Sequence, residues 1–427
     1  MRTAVKIICA VLSALSVLSF GACSGKDNNK DKDSGYMIYE KKENVVSDEQ
    51  YYKKEGVSFP AELWQKRESE RYEEGDVGEV KAYFIPSVNG TYVFAYVGIP
   101  EGVDKDNPAP AVVLVHGGGG TAFYEWVRIW TARGYVAIAP DTEGNMPVST
   151  SIMDNNDHQT SIKPHGPINP GFTDYNKPVE EQWAYNAIAS VIVSRTFLSS
   201  MEEVKQDSVA ITGVSYGAFL TCQAVGYDDR FAVAVPVYGS LGQKGSAGIL
   251  GSIMGNDKTA SLWDDVGVLE YSRTPILFLN GNTDRFFTPD STTRSFDASR
   301  YANISLRTGM LHGHTVASDE GVEAYAFIDN VCKADTAGLS TFEIQPTATT
   351  DTATLNVPKG VSLASAEVMW TRKDVLNEKT LWRSEPATID GNKVSYGVPG
   401  DAKYFYINVY DDRGFVVTSR LIANFSE

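Results

Sequence analysis

The sequence predicts an α/β protein: a mostly parallel sheet with helices on both faces, followed by a small C-terminal β-sandwich. Three observations carry that reading. Between residues 77 and 338, short apolar runs alternate with helical patterns, the signature of strand–helix units around a parallel sheet. Several of those runs are continuous and β-branched, as expected of strands buried on both faces. From residue 339 to 427 the helical period disappears, and strand patterns separated by turn residues follow one another closely.

The elements follow in chain order. Residues 1–22 hold Arg2 and Lys6, an apolar stretch over 7–18, and Ser19-Phe20-Gly21-Ala22 before Cys23. A basic start, a short apolar core and small residues before a break predict a secretory signal, too short for a spanning helix. Small residues directly before a cysteine resemble the lipobox of bacterial lipoproteins. That resemblance implies acylation of Cys23, membrane contact through the lipid anchor only, and a place in the cell envelope; Ser24 beside the cysteine resembles lipoproteins sent on to the outer membrane. Residues 24–35 contain no apolar side chain, so 23–35 read as a solvated tether with a reach of roughly 20 Å. Residues 36–76 are polar with Tyr51, Phe59, Leu63 and Trp64 as anchors, and predict a helical lead-in packed on the next domain.

In the region 77–338, strands are predicted at 92–99, 112–115, 136–139, 209–212, 233–237, 275–279 and 304–307. Helices are predicted at 122–133, 179–195, 218–225, 291–299 and 321–333. The C-terminal strands are predicted at 341–345, 352–357, 366–372, 393–398, 404–410 and 416–423, with turns such as Asp390-Gly391-Asn392 and Pro399-Gly400 between them.

Composition removes other classes. The formal net charge is −16, and near −18 once Arg2 and Lys6 leave with the signal, which excludes a protein that neutralises nucleic-acid phosphates. An apolar fraction of 42% excludes wholesale disorder. Cys9 and Cys23 belong to the signal and the lipid site. Cys222 and Cys332 sit in apolar helical stretches and read as buried free thiols, with a disulfide between them as the alternative. No Cys/His spacing resembles a zinc site.

Four places carry chemistry. In Gly213-Val214-Ser215-Tyr216-Gly217, a serine lies between a predicted strand and a predicted helix. A nucleophile on so sharp a turn needs small residues two before and two after it. The bland alternative is a glycine-rich turn whose serine caps the helix. Second, His116-Gly117-Gly118-Gly119-Gly120 follows the strand at 112–115 and offers backbone N–H groups to a developing oxyanion. The expected donors are Tyr216 and one of Gly118 and Gly119, while His116 is expected to hold the loop.

Third, Asp284 lies just beyond the strand at 275–279 and can orient a histidine. Its rivals are Asp141, after an earlier strand, and Asp290, expected to cap the helix at 291. Fourth, Met310-Leu311-His312-Gly313-His314 follows the last strand of the region. His312 is the expected general base by its distance from the strand end, and His314 is the alternative. The chain order serine, aspartate, histidine is that of α/β-hydrolases, whereas chymotrypsin-like and subtilisin-like proteins run otherwise.

Residues 112–141, the elbow with the helix behind it, and Met310–His314 together resemble the dienelactone-hydrolase and acetylxylan-esterase-like branch of the α/β-hydrolases. They also resemble prolyl-oligopeptidase-type catalytic domains. The resemblance covers about residues 92–333, and it departs at Ala218, where many relatives carry another glycine. It implies an α/β-hydrolase fold and serine chemistry; no cofactor is expected, and His158 and His165 without a third ligand predict no metal site. An exported esterase acting on polysaccharide or small-molecule esters, acetyl above all, is the expectation, with a serine exopeptidase as the alternative. Such peptidases restrict entry with an N-terminal propeller, and no propeller repeat precedes residue 77. A non-catalytic binding protein on a relict fold is a third class, opposed by the complete set of serine, histidine, aspartate and glycine loop. The long insertion 143–177, with His158 and His165, is read either as a wall of the substrate site or as a surface loop.

Overall fold

The structure is a computed structural model that describes residues 56–148, 157–242, 246–314, 321–334 and 336–424. The signal segment, Cys23, the tether and Tyr51 lie outside the described residues.

Eleven strands precede the C-terminal region: β1 (Glu70–Arg71), β2 (Lys81–Pro86), β3 (Tyr92–Gly98), β4 (Ala109–Val115), β5 (Val136–Pro140), β6 (Asn145–Pro147), β7 (His158–Thr160), β8 (Val204–Val214), β9 (Val233–Val237), β10 (Ile276–Gly281) and β11 (Ala302–Arg307). Nine of them form one sheet in the order β1-β2-β3-β5-β4-β8-β9-β10-β11, while β6 and β7 pair separately. Pairing is antiparallel from β1 to β5 and parallel from β5 to β11.

The continuous apolar runs have a direct cause in packing. Ala111, Val113 and Val115 of β4 point into one core, and Val112 and Leu114 point into the other. The first core is closed by α2 (Trp183–Ser199), α3 (Tyr216–Tyr227) and α7 (Pro289–Ala298), through Ile188, Phe219 and Phe296. The second is closed by α1 (Tyr124–Ala132) and α8 (Val322–Lys333), through Trp126, Trp130, Phe327 and Ile328. A strand with both faces covered has no solvent side, so it shows no alternation. Between β9 and β10 lie three short helices, α4 (Ile249–Ile253), α5 (Asp257–Trp263) and α6 (Val266–Leu269), each too brief to show a helical period in the sequence.

Two expectations need correction. The described part of the lead-in, residues 56–76, contains two 3₁₀ turns (Ala61–Trp64 and Glu73–Gly75) and the edge strand β1 instead of an α-helix. It does pack on the domain: Leu63 is buried, its carbonyl accepts the Thr196 hydroxyl, and Phe59 stacks on Tyr185 at 4.6 Å. Strand β2, absent from the reading, pairs antiparallel with β3. Asp290 is not a helix cap, because α7 starts at Pro289 with Thr288 as its cap; Asp290 pairs with Arg294 one turn later at 3.1 Å. Cys222 and Cys332 are both buried free thiols.

The C-terminal region is all antiparallel: β12 (Thr341–Phe342), β13 (Thr352–Asn356), β14 (Leu363–Thr371), β15 (Arg383–Asp390), β16 (Lys393–Ser395), β17 (Tyr404–Asp411), β18 (Val416–Thr418) and β19 (Ile422–Ala423). They pair in the order β12-β13-β16-β15-β14-β17-β18, with β19 also on β17. Leu355, Val368, Val394, Ile407 and Val417 share one apolar core. The region covers the β11 edge of the nine-stranded sheet, a surface that otherwise invites association. At β11, Leu306 N–H donates to Thr418 Oγ at 2.9 Å, and the Leu306 carbonyl accepts Asn408 Nδ2. The fully buried Glu323 carboxylate pairs with Arg307 and accepts the Val416 N–H.

Candidate active site

The carboxyl ends of the parallel strands β4, β5, β8, β10 and β11 lead into the loops that build one cavity, as open α/β sheets commonly arrange their sites. At the end of β8 the chain turns sharply into α3. Ser215 occupies that turn at φ 57° and ψ −121°, a backbone conformation costly for a residue with a Cβ. Gly217 answers the close packing of the elbow: a Cβ there would lie 2.2 Å from the Val115 carbonyl oxygen.

His312 bridges Ser215 and Asp284. Its Nε2 lies 2.9 Å from Ser215 Oγ, and its Nδ1 lies 2.6 Å from Asp284 Oδ2. Asp284 is buried, and its other oxygen accepts the N–H groups of Phe286 and Phe287 at 2.8 Å each. A carboxylate held in this way directs the Nδ1 proton toward itself and leaves Nε2 free to accept from the serine hydroxyl. Aromatic rings fix the imidazole: Tyr238 and Phe286 each approach it at 4.8 Å, and Phe287 stacks nearly parallel at 5.9 Å. Tyr238 also donates its hydroxyl to the Gly313 carbonyl at 2.8 Å, which ties down the turn.

His314 lines the same cavity but stays outside the Asp284–His312–Ser215 path. Its Nε2 accepts the Gly117 N–H at 3.1 Å, and its ring lies 5.3 Å from Phe123. Burial holds its pKa down at about 4, so it is neutral and able to accept. His116, fully buried, donates Nδ1–H to the Gly117 carbonyl and accepts the Thr142 N–H at Nε2, 2.9 Å away. Burial pushes its pKa down to about 3. Asp141, the earlier rival of Asp284, folds its own turn by accepting the N–H groups of Glu143 and Asn145. Burial raises its pKa to about 7.

The glycine loop lies against the elbow. A Cβ on Gly118 would meet the Tyr216 ring at 2.5 Å, so only glycine allows this approach. Of the two candidate donors, Gly119 gives its N–H to the Glu143 carboxylate, at 3.2 and 3.3 Å from the two oxygens. The N–H groups of Gly118 and Tyr216 have no acceptor among the described residues. Tyr216 N–H also opens helix α3, where the helix dipole favours negative charge.

The cavity over Ser215 has a volume of about 510 Å³. One wall is apolar, from Ile249, Leu250 and Ile253 of α4 together with Phe286 and Phe287. Another is polar, from Glu143, Asn169 and Gly171. The insertion 143–177 thus contributes to the wall of the site, though its residues 149–156 lie outside the described residues. Asn169 Nδ2 donates to Glu143 at 3.0 Å, and burial raises the Glu143 pKa to about 6. Sequence reasoning passed over Glu143, Asn169, Tyr238 and the Phe286–Phe287 pair. The one signal for Glu143 was its position just past the carboxyl end of a buried strand. His158 and His165 join no group of three metal-binding side chains among the described residues.

The sequence model of the dienelactone hydrolase family matches residues 93–337, more than half of the chain. A search of curated proteins finds no match. Among solved structures, an acetyl xylan esterase from Paenibacillus sp. R4 is similar, with 19% identity, 67% of this chain and 100% of that chain covered, and a TM-score of 0.49. Acetyl xylan esterase 1 from Thermoanaerobacterium sp. JW/SL YS485 shows 15% identity over 67% of this chain and 94% of that one, with a TM-score of 0.46. An acylaminoacyl peptidase from Pyrococcus horikoshii shows 14% identity over 61% of this chain, with a TM-score of 0.46, and this chain spans only 42% of its length.

Proposed function

The chain belongs to the dienelactone hydrolase family, and from that premise we propose that it is a serine esterase removing O-acyl groups, acetyl foremost, from carbohydrate or other small ester substrates. Ser215 Oγ attacks the ester carbonyl while His312 Nε2 takes its proton. Asp284 orients the ring through Nδ1–H and stabilises the imidazolium. The Gly118 and Tyr216 N–H groups receive the oxyanion. His312 then returns the proton to the departing alcohol, leaving an acyl group on Ser215. Water, deprotonated by the same nitrogen, releases the acid and restores the serine. The observation that supports this reading above others is the unbroken hydrogen-bonded path Asp284–His312–Ser215 opening into the cavity.

A serine exopeptidase is the second reading, favoured by one feature. The Glu143 carboxylate in the cavity wall suits an ammonium group on a substrate. Assay of purified protein on p-nitrophenyl acetate, acetylated glycans and dipeptide amides separates the two. Turnover of the esters, abolished by Ser215→Ala, is the expected outcome, and turnover of the amides alone overturns it. Lipid attachment at Cys23 anchors the protein in the bacterial envelope, and its acidic charge leaves it without a nucleic-acid partner. Mass spectrometry should find Cys23 acylated in the native host, and Cys23→Ala should release the protein from the membrane fraction. An unmodified N-terminus at Ser24 or later removes the anchor.

A further inference from the structure

Resting on the serine-esterase reading, we propose that Glu143 and His314 are positioning residues that clamp the glycine loop on either side of Gly118, so that the Gly118 N–H is the one presented to the developing oxyanion. Three successive amides show the pattern. Gly117 N–H is held by His314 Nε2 at 3.1 Å, and Gly119 N–H is held by the Glu143 carboxylate at 3.2 and 3.3 Å. Gly118 N–H, between them, has no acceptor among the described residues.

A run of glycines needs such anchors. It has more backbone freedom to lose than any other sequence, and Gly119 sits at φ +73°. Within the loop, the Gly117 carbonyl accepts both Gly120 N–H at 3.1 Å and His116 Nδ1–H at 2.7 Å, which closes the turn without aiming Gly118. The anchors come from two separate segments, and each is itself braced. Glu143 follows β5 and accepts Asn169 Nδ2, while Asn169 Oδ1 accepts the Gly171 N–H at 2.8 Å. His314 lies against Phe123 and Trp126 of the wall behind the loop, at 5.3 and 6.3 Å. Both anchors are acceptors, as an amide donor requires. His314 also shares a turn with His312, so one short segment sets both the proton acceptor and the oxyanion loop.

The test uses the whole folded protein and two readouts. The first is kcat and KM on p-nitrophenyl acetate. The second is inhibition by an aryl trifluoromethyl ketone, whose carbonyl oxygen becomes an oxyanion when Ser215 Oγ adds to its carbon. Glu143→Ala and His314→Ala should each lower kcat and weaken the ketone by a similar factor, about 10–100-fold, with KM changing by less than about twofold. Glu143→Gln and His314→Gln should recover most of that loss, because an amide oxygen can accept the same glycine N–H. Glu143→Asp keeps the charge but withdraws the acceptor by one methylene, and it should stay impaired.

The opposite order, with Asp active and Gln impaired, makes charge the essential property and overturns the clamp. So does a rise in KM with kcat and ketone inhibition intact, which makes Glu143 a substrate contact. Where Glu143→Ala fails to fold, the Gln and Asp variants decide. Failure of the underlying reading is distinct: it appears as activity surviving Ser215→Ala, whatever the glycine-loop variants do.

Discussion

The catalytic sheet and the C-terminal sheet are both rich in buried strands, yet they use connectivity in opposite ways. In the catalytic sheet, parallel pairing forces each chain to return to the same edge before the next strand, so loops remote in sequence gather at the carboxyl ends. Gly118, Glu143, Ser215, Asp284 and His312 meet there. In the C-terminal sheet, neighbouring strands such as β15 and β16 join through the tight turn at Gly391, and what they bring together is local. The second sheet reaches the site only by contact. Trp382 Nε1 donates to the Asn282 carbonyl at 2.8 Å, and Asn282 Nδ2 donates to Tyr406 Oη at 3.0 Å, two residues before Asp284. Chemistry gathers where parallel connectivity collects loops, and the antiparallel region acts as a brace.

The largest effects should fall on the catalytic side of this division. Ser215→Ala and His312→Ala should each cost on the order of 10⁶ in kcat, and the double variant should be little worse, since both act in one step. Residual activity above a hundredth of wild type in either would dissolve the division. Asp284→Asn should cost less, about 10⁴, because nucleophile and base remain while the orienting charge is lost.

Acid sensitivity offers a second way to separate the regions, since all five histidines precede residue 339. The pKa of His314 is held near 4 by burial, below its ordinary value of 6.5. The folded state is therefore favoured above pH 6.5 and loses that advantage as pH falls toward 4, because the unfolded chain takes up the proton first. His314→Gln should remove this contribution. Its unfolding free energy in urea should fall less steeply than wild type over that interval, the difference reaching about 3 kcal/mol at pH 4. Parallel curves would mean that His314 titrates normally in the folded protein.

Where the two sheets meet, Glu323→Ala should destabilise the protein by about 2–3 kcal/mol in urea unfolding, since it leaves Arg307 and the Val416 N–H without their buried partner. An unchanged midpoint would show that the C-terminal sheet rests on the catalytic one without relying on this carboxylate. The smallest effect is the most informative about the brace. Trp382→Phe removes one hydrogen bond to the Asn282 carbonyl and should lower kcat by about fivefold, in line with about 1 kcal/mol for such a bond. A loss near a hundredfold would promote the C-terminal region from support to a working part of the Asp284 loop.

Much of this molecule was legible in its sequence, because local chemistry alone dictated it. A strand buried on both faces has to be continuously apolar, so β4, β5, β9 and β10 announced themselves. The elbow has to carry glycine around Ser215, where a Cβ would strike the neighbouring backbone, and the glycine loop has to follow a strand end to face it. The order Ser215, Asp284, His312 or His314 needed only the chain. Elements that lack a private apolar face stayed hidden: β15 is largely exposed, α4 to α6 are each under two turns, and the lead-in owes its shape to the surface it crosses. Between His312 and His314, two residues apart on one turn, composition cannot choose. The rings of Tyr238, Phe286 and Phe287, drawn from two other segments, seat the first beside Ser215, while Gly117 engages the second. Gly118 and Glu143 fall under the same rule. A backbone amide is a donor in any sequence, and only its neighbours in space decide whether that donor is spent or left free.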